Sequence, residues 1–177
     1  MNQQHTVESA DRADRPAMPV AVAAAVASLA YAVPFAISRS TSPTPDHPRV
    51  FLWYRSLRQP AFKPPDIAIP IAWSLIETGL AVAAFRLLRK RPSANRTASL
   101  ALLAGNVAAI GGWSRLFFGS RNLPASAVAA AAMIGTGAAY VSAARPADKV
   151  AAAAGVPFVA WVAFATLLTA AIARRNR

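Results

Sequence analysis

An all-α integral membrane bundle of five transmembrane helices is the fold class this sequence predicts, and three observations carry it. Hydrophobic residues fill 55% of the 177 positions and charged ones only 15%, too apolar a balance for an ordinary soluble domain. Apolar runs of about twenty residues, the length a helix needs to cross a hydrocarbon core of roughly 30 Å, recur along the whole chain. None of them alternates like a strand, and backbone groups in lipid must pair within their own segment, so helices follow.

A formal charge of +12 in a soluble protein would point to nucleic acid. Here Lys and Arg gather at the ends of the apolar runs, where they meet water and anionic headgroups. The expected partner is therefore the lipid bilayer and not nucleic acid. The chain has no cysteine, which excludes disulfides, thiolate metal sites and cysteine catalysis. Its Ala-rich, basic composition suggests a bacterial cell membrane.

In chain order, residues 1–17 mix acids, bases and amides without periodicity and read as a disordered tail before a single domain, 18–177. The first span, 19–37, is P-V-A-V-A-A-A-V-A-S-L-A-Y-A-V-P-F-A-I. A cleaved signal peptide competes for this segment, but Glu8, Asp11 and Asp14 spoil the positive leader such a peptide needs. Residues 38–66 form a long connection, and connections of that length are usually functional. Further spans cover about 67–88, 98–118, 123–144 and 150–173, joined by short basic links. An odd number of spans puts the termini on opposite sides. Lys and Arg divide almost evenly between those sides, so orientation stays open.

The densest stretch is Trp53 to Trp73, W-Y-R-S-L-R-Q-P-A-F-K-P-P-D-I-A-I-P-I-A-W. Pro60, Pro64 and Pro65 lack backbone donors and push their predecessors to extended geometry, so Leu57 to Asp66 reads as an ordered aromatic loop leading into the second span. Small residues at Gly105 and Ala109, at Ala108 and Gly112, and at Ala127, Ala131 and Gly135 are four apart. That spacing lets helices approach closely, within the molecule or across a homodimer.

Glu77 falls near the bilayer midplane, where a carboxyl is costly and is by default a functional candidate, the plainer alternatives being a hydrogen bond to a neighbouring helix or a pair with Arg115. Trp73 precedes it by one turn on the same face. Trp113 and Phe117 close the third span, and Phe158 and Trp161 follow Pro157, a residue expected to kink the fifth. His5 and His47 lie outside the spans, so no intramembrane histidine is available as base or ligand. No paired carboxylates, phosphate loop or nucleophile with an adjacent base is visible, so neither catalytic residues nor a metal site is expected. Aromatic rings with one buried acid suit a flat, largely apolar ligand.

Three ordered motifs give this chain a resemblance. They are W-Y-x-x-L-x-x-P at Trp53, Tyr54, Leu57 and Pro60, continued by Pro64, Pro65, Pro70 and Trp73; W-x-x-x-F-F-G at Trp113, Phe117, Phe118 and Gly119; and P-F-x-x-W-x-x-F-A at Pro157, Phe158, Trp161, Phe164 and Ala165. With them the chain resembles the tryptophan-rich sensory protein or translocator protein (peripheral benzodiazepine receptor, TspO/MBR) family. The resemblance implies a five-helix protein, often dimeric, with a pocket for porphyrin, haem, sterol-like or benzodiazepine-type ligands under its first loop. Carried over by position, Trp53, Pro60, Trp73, Trp113, Phe117 and Trp161 line or close that pocket, and Phe62, Glu77, Asn106 and Phe158 join them as candidate ligand-binding residues. Transport, sensing, partner regulation and tryptophan-dependent photo-oxidation of a tetrapyrrole, through Trp53, Trp73 or Trp113, are the roles it leaves open.

Departures from the family pattern fall on polar positions: Gln59 for the usual lysine, Ala61 and Phe62 at aromatic loop positions, Glu77 for tyrosine, Asn106 and Ile110 for glutamine and asparagine, and Thr169 for asparagine. The expectation is that Glu77, with Asn106 and Arg115, replaces the lost amides as polar anchor. A sterol motif near the end of the fifth helix needs a tyrosine, and Phe164 to Arg177 has none.

Overall fold

The computed structural model describes residues 17–177, so most of the segment read as a tail lies outside the described residues. The elements are α1 (Val20–Arg39), α2 (Pro48–Ser56), α3 (Ala68–Leu88), α4 (Ala94–Ser114) with a π-helical turn at Arg115–Gly119, α5 (Leu123–Ala147) and α6 (Lys149–Arg175). No strand occurs among the described residues. Five of these helices, with the π turn counted into α4, are long and apolar enough to span a membrane. The large apolar side chains they leave exposed, among them Val22, Val26, Leu29, Val128 and Leu167, are what lipid contact requires. The protein is a multi-pass integral membrane protein.

Helix ends explain where the observed bounds pass the apolar runs. Hydropathy marks only the stretch in hydrocarbon, while capping groups carry each helix on into polar surroundings. Ser93 Oγ accepts from the Arg96 N–H, which starts α4 at Ala94, four residues before its apolar run. Asn122 caps α5 with Pro124 in the first turn, and Asp148 caps α6. The left-handed backbone of Arg121, φ 53°, makes the tight reversal between the π turn and α5.

The helices form a ring in the order α1, α3, α6, α5, α4, which returns to α1. Around the end where α1 begins, the core is built of small residues: Ala23, Ala27 and Ala30 of α1 share one face and meet Ala83, Ala84 and Leu87 of α3. The tightest contact joins α5 to α6. A Cβ on Gly155 would stand 2.5 Å from the Tyr140 ring, and one on Gly137 would stand 2.9 Å from Phe158. Neither glycine belongs to the small-residue stripes marked from the sequence. Gly105, Gly112 and Gly135 have nothing within 4 Å of a Cβ position, so the glycines of those stripes make no close approach within the molecule, while Ala109 packs on the core.

The same end is closed by an ionic clamp. Arg86 at the end of α3 donates two hydrogen bonds of 3.0 Å to Asp148, Lys90 lies 3.3 Å from the same carboxylate, and the Ala151 N–H donates to it at 2.8 Å. Burial by itself would raise the Asp148 carboxyl, but the hydrogen bonds from Arg86, Ala151 and Lys90 outweigh it and hold the group at about 2. Tyr140 Oη donates to the Ala151 carbonyl at 2.8 Å, and Arg96 Nε donates to the Leu87 carbonyl at the end of α3. The ends of α3 and α5 and the beginnings of α4 and α6 are tied together there.

Candidate ligand cavity

At the opposite end the helices diverge around a cavity of about 500 Å³, within the range that holds a drug-sized molecule. Its walls come from α1, α3, α4 with its π turn, and α6, and its roof from the connection between α1 and α3. That connection is not one loop, as the sequence suggested. Pro48 starts a nine-residue helix, α2, which is amphipathic and places Phe51 and Tyr54 on the cavity. Proline at a first helical turn is the signal that was available, hidden among the other prolines of the stretch. From Leu57 the chain is extended or turned, as Pro60, Pro64 and Pro65 require.

The roof is pinned at its far side. Asn176, just past α6, accepts from the Arg58 N–H at 2.9 Å and donates to the Arg58 carbonyl at 3.2 Å. Gln59 donates to the Tyr54 carbonyl, and Lys63 stands 5.3 Å over the Tyr54 ring while pairing with Asp66. Burial pushes the Tyr54 phenol up, against the pull of the Lys63 ammonium, so it stays a neutral donor. Pro60 is buried in this docking and does not reach the cavity.

The walls are mostly aromatic. Trp73 meets Trp161 edge to face with centroids 6.4 Å apart, and Trp161 lies 5.5 Å from Phe164. Across from them Trp113 stacks on Phe117 at 5.0 Å, and Phe117 touches Phe118 at 4.8 Å. The π turn widens the end of α4, which lets both phenylalanines reach the same cavity. Trp113 is oriented by its indole N–H, which donates to the Ser126 carbonyl of α5 at 3.0 Å.

Of the residues singled out from the sequence, Trp73, Glu77, Trp113, Phe117 and Trp161 stand together on the cavity. Trp53 lies behind the wall, edge-on to Phe117 at 5.9 Å with the Arg121 guanidinium 5.3 Å above its ring. Phe62 is exposed and leans on Phe164 from outside. Phe158 is fully buried between Gly137 of α5 and the core around Val162. Asn106 does not face Glu77: it donates to the Leu102 carbonyl and accepts from Thr136 of α5 at 2.7 Å. Arg115 is exposed and makes no ion pair with Glu77, so the expected polar trio is not assembled. Ser74 and Leu168 line the cavity unannounced by any motif, although Ser74 sits one residue from Trp73, and Thr169, marked from the sequence as a departure from the family pattern, lines it as well. Pro157 leaves α6 continuous from Lys149 to Arg175.

Fold and cavity together define a class: a helical membrane protein that encloses an aromatic cavity beneath its first extramembrane connection. Comparison with known proteins narrows it. The profile of the TspO/MBR family matches residues 20–175, and the chain belongs to that family. Among its relatives, the translocator protein of sheep (Ovis aries) is 30% identical over 120 residues, 67% of this chain and 71% of the relative. That of pig (Sus scrofa) is 28% identical over 127 residues, 71% and 75% of the two chains, and that of human (Homo sapiens) 26% over 126 residues, 70% and 75%.

Proposed function

We propose that this protein binds a tetrapyrrole such as a porphyrin or haem, or a similarly flat hydrophobic molecule, in the cavity beneath α2. One observation carries this: Trp73, Trp161 and Phe164 on one side and Trp113, Phe117 and Phe118 on the other leave a space of about 500 Å³ walled by ring faces and edges. Buried aromatic contact supplies both apolar area and stacking, each aromatic pair contributing on the order of 1 kcal/mol beyond its area. The polar groups at the mouth, Arg39, Arg55 and Asp46, suit a ligand whose ionised substituents stay near water.

Protoporphyrin IX and haem, titrated against the purified protein, should quench tryptophan fluorescence saturably. Trp73→Phe and Trp113→Phe should each weaken binding about tenfold, a loss of roughly 1.4 kcal/mol. Absence of saturable quenching in the wild type by either pigment would remove the tetrapyrrole from consideration and leave the fold and family untouched.

A further inference from the structure

Among the described residues buried polar side chains are partnered almost everywhere, and the exceptions all line the cavity. Seven polar or charged residues are buried among the described residues. Ser99 and Ser126 donate to carbonyls one turn back, Ser114 pairs with Ser38, Asn106 with Thr136, and Asp148 with Arg86. The remaining two, Glu77 at 4% exposure and Thr169 at 3%, have no hydrogen-bond partner among the described residues, and both line the cavity. Trp161 lines the same cavity, and its indole nitrogen is the single fully buried side-chain nitrogen or oxygen without a partner among the described residues.

A buried donor left unpaired, such as the Trp161 indole N–H, costs about 1–3 kcal/mol, and the Glu77 and Thr169 oxygens are left open to the cavity. A cluster of them against a cavity is explained when a bound molecule supplies the partners. The chemistry of the cluster says which partners. Glu77 offers a carboxyl oxygen as acceptor in either protonation state, and as a carboxylate it would draw a positive charge strongly in so apolar a place. Thr169 can accept as well. Resting on the ligand cavity proposed above, we infer that Glu77 selects ligands with a nitrogen donor on their buried edge, a protonated ring nitrogen, an amine or an N–H group. As a carboxylate, which has no donor of its own, Glu77 is left unpaired by a ligand with only carbonyl, ether or hydrocarbon groups there. The other charged groups on the cavity are Arg39, Arg55, Asp46 and Asp66, all from α1 or its connection to α3. Two cations and two anions there give no net preference for a cationic ligand, which leaves Glu77 as the discriminating group.

Two flat probes of nearly equal shape test this: 9-aminoacridine, protonated at neutral pH, and acridine, neutral and without an N–H. Wild-type protein in detergent should bind 9-aminoacridine about tenfold more tightly than acridine, the factor that corresponds to roughly 1.4 kcal/mol. Glu77→Gln should abolish the preference, weakening 9-aminoacridine about tenfold relative to acridine. Equal binding of the two probes by wild type overturns the inference without need of any variant, and so does a preference that survives Glu77→Gln. Protoporphyrin IX is titrated alongside. If it binds while the probes do not discriminate, the selectivity assigned to Glu77 fails and the cavity's function stands; if nothing binds saturably, both fall.

Discussion

Where α3 ends, Arg86 and Lys90 close on a buried Asp148 and the helices touch through alanine and glycine; where α6 ends, tryptophans and phenylalanines surround a cavity of about 500 Å³. Both ends hold the same helices. What separates them is side-chain volume. Small residues at one end let backbones approach until a Cβ on Gly155 would collide with a ring, so there is no room for a guest. Large planar residues at the other hold the helices apart and cannot themselves fill the space they create. The polar accounting differs in the same sense. At the closed end every buried charge has its counter-charge, while at the open end Glu77 and Thr169 face the cavity without partners among the described residues. One end stores stability and the other keeps an open cavity.

That contrast can be broken most sharply at Gly155. Valine there must displace the Tyr140 ring, whose hydroxyl holds the Ala151 carbonyl, and should cost about 3 kcal/mol, the upper end of overpacking penalties. Thermal unfolding in detergent would register the loss; an unchanged transition would mean that the α5–α6 contact is looser than described.

Asp148→Ala should come next, at about 2 kcal/mol, because it removes a helix cap worth roughly 1 kcal/mol together with a buried carboxylate. The loss is moderated because Arg86 and Lys90 are both partly exposed and can return to water. The pH response follows from the same group. Asp148 sits at about 2 when folded, below the ordinary value of about 3.9, so its contribution is complete above roughly pH 4 and fades as pH falls toward 2. A transition temperature that falls over this interval in wild type, but less in the alanine variant, is the expected pattern.

At the open end the effects should be smaller. Asn176→Ala removes the two hydrogen bonds that pin the roof, an exposed pair worth about 1 kcal/mol or less. Global stability should barely move, while protease cleavage within residues 40–66 and ligand release should both quicken. Equal cleavage rates in the two proteins would show that the roof is held by its aromatic contacts instead. Smallest of all should be Gly119→Ala. Its nearest neighbour is Thr41 at 3.9 Å, so stability should stay within about 0.5 kcal/mol, the counterpart of Gly155 at the tight end.

Much of this was legible in the residues. Five apolar runs of helical length fix five spans, because a bilayer core leaves the backbone no other way to satisfy its hydrogen bonds. Motif spacing brought Trp73, Trp113, Phe117 and Trp161 to attention together, midplane depth added Glu77, and all five stand on one cavity. Helix α2 went unread because one proline that starts a helix looks like the prolines that prevent one. Within the molecule, the glycines of the small-residue stripes turned out not to be the ones in close contact. Alanine and glycine are so common here that spacing alone could not tell Gly105 and Gly112, open on their face, from Gly137 and Gly155, against which rings pack.

The sequence by itself determined that this is a five-span helical membrane protein, which stretches lie in hydrocarbon and which in water, and that the first connection is aromatic. These are properties of composition and period, and they act locally along each segment. Only the tertiary structure decided that Asn106 is spent on Thr136, that Trp53 lies behind the wall and not in it, that Asn176 pins the roof, and that Glu77 and Thr169 share a cavity without partners among the described residues. Those facts depend on the rotation of each helix about its axis. In a lipid solvent the apolar stripe hardly fixes that rotation, because hydrocarbon lies outside the bundle as well as within it. Close packing of α5 on α6 and the Asp148 clamp set it instead.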